Sequence, residues 1–260
     1  MKADPRLSPS NFSTSTPSNF GTTLILAAMT EPFRPTVCGG GSSTFSMPSQ
    51  VSSSWGFSWD QGTIQLLEEF TLQGQSFFQA SGDSGAYDTK MACAAPTGDI
   101  RGAGASNGTP APTTLVGGTV LNMEGAGLSY LNESGWGGSG GGILPTLGIP
   151  SYQAGLAVGI GGISGTNRNA PDVAMDAVNA FIVFSDPAPG TLGTFFGTSA
   201  SAPLSAGFMA VVNEANANAN EPLVGFANPL FYRLAAEAVN EFGTPDVMTL
   251  LKQQLLVVVG

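Results

Sequence analysis

Between residues 49 and 85 the apolar pattern changes period twice. "SQVSSSWGF" (49–57) is apolar at 51, 55 and 57, on one face of an extended chain, and predicts a strand. "DQGTIQLLEEFTLQGQ" (60–75) is apolar at 64, 66, 67 and 70, which is helical spacing, and Gly74 is placed to stop the helix. "SFFQASGDSG" (76–85) is a short apolar run that empties into a glycine-rich turn, hence a strand and a loop. Strand, helix and strand within about 35 residues form the unit from which parallel sheets are built.

Further strands are predicted at "TTLVGGTVLNM" (113–123), "APDVAMDA" (170–177) and "FIVFSD" (181–186). "CGGGSSTFSMP" (38–48) and "SGWGGSGGG" (134–142) are too rich in glycine for regular elements and predict loops. "TFFGTSASAP" (194–203) ends a strand in a turn, and "LSAGFMAVVNEANANA" (204–219), apolar on most faces, predicts a buried helix. Two more helices are expected over 228–243 and 246–255. "TLILAAMTE" (23–31) fits a helix or a buried strand equally. Together these predict one α/β domain over 22–260, with a mostly parallel sheet flanked by helices. Residues 1–21 are a polar, Ser/Pro-rich lead-in expected to be poorly ordered.

Composition narrows the partners. Only 10% of the residues are charged, the net charge is −10, and the eight basic residues are scattered. Nothing here could neutralise a run of phosphates, so a nucleic-acid partner is not expected. Few carboxylates must protonate in acid, which suits an acidic medium. The longest apolar stretches, such as "LLVVVG" at the end, fall far short of a membrane span, and the first residues contain no apolar core of a signal peptide. Cys38 and Cys93 fit one disulfide or two buried thiols equally well.

The chemistry concentrates in "FGTSASAP" (196–203). Gly197 allows a sharp turn, and Ser199 then falls in the first turn of a helix, where unpaired N–H groups can hold an oxyanion. Pro203 sits early in that helix, where a missing N–H costs least. The plain alternative is that Ser199 is a helix N-cap. A serine nucleophile usually passes its proton to histidine, and this chain has none.

This octet resembles the serine loop of the subtilisin-like superfamily. The lack of histidine points within it to the sedolisins, or serine-carboxyl peptidases, whose base is a glutamate supported by an aspartate. The resemblance covers roughly residues 22–250. It implies an endopeptidase that uses a carboxylate base in acid. "ASGDSGAYD" (80–88) is similar to the family's strand and turn that carry an oxyanion aspartate, which makes Asp83 that residue. To donate a hydrogen bond Asp83 must be protonated, and burial near another carboxylate is expected to keep it so. Read alone, Asp83 is a turn-forming residue. "SSSWG" (52–56) resembles the edge that pairs with an extended substrate, so Ser54, Trp55 and Gly56 are the expected substrate contacts. "ESGWGGSGGGILP" (133–145) and "RNAPDVAMDA" (168–177) are also similar to family segments, with Asp172 read as structural.

Two departures qualify the resemblance. The family's base pair is Glu-x-x-x-Asp on one helix face, and no such spacing occurs in residues 1–82. Asp4 and Glu31 are the only acids ahead of the "SSSWG" strand, and Glu68 and Glu69 follow it on a helix where the family carries no catalytic group. The start of the catalytic domain is therefore expected to be missing from this chain. The family's calcium loop also looks deleted, since "FYRLAAEAVNEFGTPD" (231–246) offers only Glu237, Glu241 and Asp246. No cofactor is expected. The resemblance implies an extracellular, monomeric protein whose partner is a peptide or an unfolded protein, with no membrane partner. Three readings follow: an acid endopeptidase, an inactive or truncated homologue that keeps a peptide-binding groove, and a Gly/Ser-rich structural domain.

Overall fold

A computed structural model describes residues 48–55, 61–86, 112–125, 129–154, 164–178, 180–184 and 191–240. The main sheet contains β1 (Gln50–Ser53), β2 (Ser76–Ala80), β3 (Thr114–Glu124), β4 (Ser129–Gly135) and β7 (Val173–Asp176). β1 runs parallel to β2, β2 to β3, and β3 to β7; only β4 is antiparallel. Val116 of β3 pairs with Ala80 on one side and Val173 on the other, and Thr119 pairs with Asp176 and Gly135. So β2 and β4 follow one another along one edge of β3, and β7 lines the other. Two antiparallel pairs lie apart, β5 (Gly142–Gly148) with β6 (Asn167–Ala170) and β8 (Ala180–Phe184) with β9 (Thr191–Phe195).

The two-residue period of a strand explains how the layers form. β2 is buried along its whole length, so adjacent residues serve opposite faces. Phe78 and Ala80 pack with Val116 against Ala202 and Met209 of α2 (Thr198–Ala219) and Phe231 of α3 (Asn228–Asn240). Phe77 points the other way and packs with Val51 against Leu67 and Phe70 of α1 (Gln61–Leu72). On β3 the same alternation sends Leu115 to Leu144 and Leu147 of β5. Two apolar layers therefore sandwich the sheet, with α1 on one face and α2 on the other.

Three expectations need correction. Residues 134–142 are not all loop: Ser134 and Gly135 end β4, and Gly142 begins β5. β4 is an exposed strand zipped onto the far end of β3, so it shows no alternation to read. The single strand expected over 170–177 is broken at Pro171 into β6 and β7, which pair with different strands. The helix expected from 204 begins at Thr198 and is buried on one face only; Leu204 and Val211 are 46% and 64% exposed. The segments 1–21, 23–31 and 246–255, with Cys38 and Cys93, lie outside the described residues.

Candidate active site

β1 and β2 are parallel, so their carboxyl ends open on the same rim of the sheet, where ligands of open α/β sheets gather. β1 delivers Ser54 and Trp55 to that rim, and β2 delivers Gly82 and Asp83. α2 packs under the sheet with its amino end at the same place, which brings Thr198 and Ser199 alongside.

The N-cap of α2 is Gly197, not Ser199, and no side chain of its own caps the helix. The acceptor comes from a distant loop. Asp83 Oδ1 accepts from the Thr198 amide at 2.7 Å and from the Thr198 hydroxyl at 2.8 Å. That hydroxyl in turn accepts from the Gly82 amide at 3.0 Å. A carboxylate on a first-turn amide also meets the positive end of the helix. Gly197 is required twice over. Its φ of +112° is a region that side chains avoid, and a Cβ there would lie 2.7 Å from Asp83 Oδ2. Its amide donates to the Ala177 carbonyl at 2.8 Å, which ties the turn to the end of β7.

Ser199 is the second residue of α2, half-buried, and its hydroxyl has no hydrogen-bond partner among the described residues. Ser54 Oγ donates to the Ser199 carbonyl at 3.3 Å. Trp55 is 49% exposed beside it, and its carbonyl accepts from buried Gln79 Nε2 at 3.1 Å. Ser54, Trp55, Asp83 and Ser199 are thus brought to one rim; Gly56 lies outside the described residues. Asp83 is exposed, contrary to the burial expected of it, and Pro203 is the sixth residue of α2, beyond the turn where a missing N–H is harmless.

Sequence reading missed two supports. Thr198 is wholly buried and holds Asp83; its place between Gly197 and Ser199 was the available clue. The loop 136–141 clamps the Asp83 turn, with the Gly140 amide donating to the Gly82 carbonyl at 2.8 Å and the Gly85 amide to the Gly138 carbonyl at 2.9 Å. The loop is itself bolted to β3, because the Trp136 amide donates to the Gly118 carbonyl and Ser139 Oγ accepts from the Gly118 amide. A side chain at Gly118 would strike the Trp136 ring at 2.8 Å.

No described carboxylate is placed as the base. Glu68 and Glu69 ride on α1, across the sheet from α2, and Glu69 Oε1 accepts from Gln73. Among the described residues no three His, Cys, Asp or Glu converge as metal ligands. Glu237 faces Arg233 at 3.8 Å on the exposed side of α3, while Glu241 and Asp246 lie outside the described residues. Among the described residues no helix is long and apolar enough to cross a membrane.

No family model matches the chain. The tripeptidyl-peptidase SED1 of Arthroderma otae is 29% identical over 206 residues, 65% of this chain and 30% of that protein. Tripeptidyl-peptidase 1 of Dictyostelium discoideum is 34% identical over 77 residues, 30% of this chain and 12% of its own length. The chain therefore spans less than a third of either relative. Among solved structures, Pseudomonas sedolisin, a serine-carboxyl proteinase complexed with pseudo-iodotyrostatin, superposes with a TM-score of 0.61 at 23% identity. The match covers 86% of this chain and 58% of that one.

Proposed function

We propose that this chain, of subtilisin-like α/β fold and similar in sequence to tripeptidyl-peptidases, is a member of the sedolisin family and carries the nucleophile and oxyanion group of a serine-type endopeptidase acting on peptides and unfolded proteins in acid. The observation that carries this reading is the double hydrogen bond from Thr198 to Asp83. It joins the candidate oxyanion group to the residue just before the candidate nucleophile.

In this reading Ser199 Oγ attacks the peptide carbonyl, and its proton goes to a carboxylate supplied from outside the described residues. Asp83 Oδ1 is taken up by Thr198, so Oδ2 is the oxygen left to carry a proton and donate it towards the developing oxyanion. A carboxyl group donates only while protonated, which restricts the reaction to acid. The backbone of Ser54, Trp55 and Gly56 pairs with the extended substrate. The protein acts outside the cell as a monomer.

A second reading keeps the groove without turnover. It is favoured by the Ser199 hydroxyl, which no described carboxylate engages. The two separate in one experiment. The protein, Ser199→Ala and Asp83→Asn are incubated in acid with an unfolded protein and, separately, with a peptide aldehyde. Cleavage by the wild type that Ser199→Ala lacks supports the endopeptidase; equal cleavage by both rejects Ser199. Aldehyde capture at Ser199 without cleavage supports the groove alone. Asp83→Asn donates at any pH, so its aldehyde capture should extend to neutral pH.

A further inference from the structure

We propose that Ser54 is a positioning residue for Ser199, supplying the hydrogen bond that Pro203 withholds from the Ser199 carbonyl. Its catalytic meaning rests on the peptidase reading above, but the pairing itself does not.

In an α-helix each carbonyl accepts from the amide four residues on. Four residues beyond Ser199 is Pro203, which has no amide hydrogen. At the sixth helical position this omission falls past the orphan amides of the first turn, so it leaves a carbonyl inside the helix without its donor. The carbonyl affected is that of the candidate nucleophile itself. Ser54 reaches it from the end of β1, 145 positions away in sequence, with Oγ 3.3 Å from the oxygen. That is long for an O–H···O bond, so its contribution is modest.

The placement has a chemical use. The Ser199 side chain hangs from a backbone whose amide end is held through Thr198 on Asp83 and whose carbonyl end is met by Ser54. Ser54 is followed at once by exposed Trp55, so the strand end that would pair with a peptide is tied directly to the residue that would attack it. Movement of one then carries the other. Reaction geometry is sensitive to displacements of this size.

Pro203 makes the proposal testable, because Pro203→Ala restores the missing amide. Pro203 is exposed and alanine favours helix, so the variant should fold. Ser54→Ala, Pro203→Ala and the double variant are compared with the wild type by the rate of peptide-aldehyde capture at Ser199 in acid and by the urea midpoint. With Pro203 present, Ser54→Ala should slow capture about three- to tenfold and lower the midpoint. In the Pro203→Ala background both losses should largely vanish, and Ser54→Thr, which keeps a hydroxyl, should retain capture with Pro203 in place. Equal losses from Ser54→Ala in both backgrounds would overturn the proposal. Should wild-type Ser199 not be captured at all, the peptidase reading falls. The urea cycle still decides the pairing: dependence of the Ser54→Ala loss on the residue at position 203 upholds it, and independence ends it.

Discussion

Gly197 shows how much one position can carry. Its amide is pinned to Ala177, its φ lies in the left-handed half of the map, and Asp83 fills the space a methyl group would need. Gly197→Ala therefore combines backbone strain with displacement of the carboxylate that caps α2. The expected cost is about 2 kcal/mol or more, read as a Tm lower by roughly 4–8 °C. An unchanged Tm would mean that the turn tolerates a Cβ and that the contact with Asp83 is loose. The glycine was legible in "FGTSASAP" as a turn residue. That its missing side chain also makes room for Asp83 was not, because that contact joins residues 114 positions apart in the chain.

Between elements, buried polar groups act as bolts. Arg168 at the start of β6 and Asp172 just before β7 are both fully buried and pair at 2.7 Å. Asp172 Oδ2 also accepts from the Leu115 amide of β3, and Oδ1 accepts from Gln153 and from Tyr232 of α3. One carboxylate thus gathers β3, the break between β6 and β7, and α3, in keeping with the structural role read for it. Burial works against the Arg168 charge, but the Asp172 carboxylate outweighs it and holds the guanidinium pKa above its ordinary value. Asp172→Ala strands that charge and the Leu115 amide together, so a loss of about 3–5 kcal/mol is expected in urea unfolding. A loss below about 1 kcal/mol would show that water reaches the site. The strands and helices were largely visible in the sequence because their periods follow from half-burial. β4 was not, since an exposed strand is specified by its neighbour, and the split at Pro171 was not, since it reflects two different partners.

The molecule as a whole should fail in alkali through its buried phenols. Burial, opposed by Arg168, pushes Tyr152 up to about 12, and burial together with Asp172 pushes Tyr232 well above the ordinary value. Unfolded tyrosine ionises near pH 10. The native state favours the neutral phenol, so this contribution is complete below pH 10 and is lost as pH climbs through 10 to 12. Stability measured by urea at a series of pH values should fall across that window, with tyrosine absorbance rising only as the protein unfolds. A flat profile to pH 12 would contradict the burial of these rings. The proposed peptidase activity requires a base, and among the described residues no carboxylate is hydrogen-bonded to the Ser199 hydroxyl.

By itself the sequence determined the kind of domain and the order of its main elements, and it singled out Ser199 and Asp83 as candidates for nucleophile and oxyanion group. Those follow from local periodicity and from short motifs whose residues are neighbours in the chain. Only the tertiary structure decided that Asp83 caps the helix of Ser199, that Thr198 holds it there, and that Ser54 meets the carbonyl Pro203 leaves open. Each is a contact across 115 to 145 positions. Such contacts are chosen by how parallel strand ends and a helix terminus converge on one rim, which no local pattern encodes.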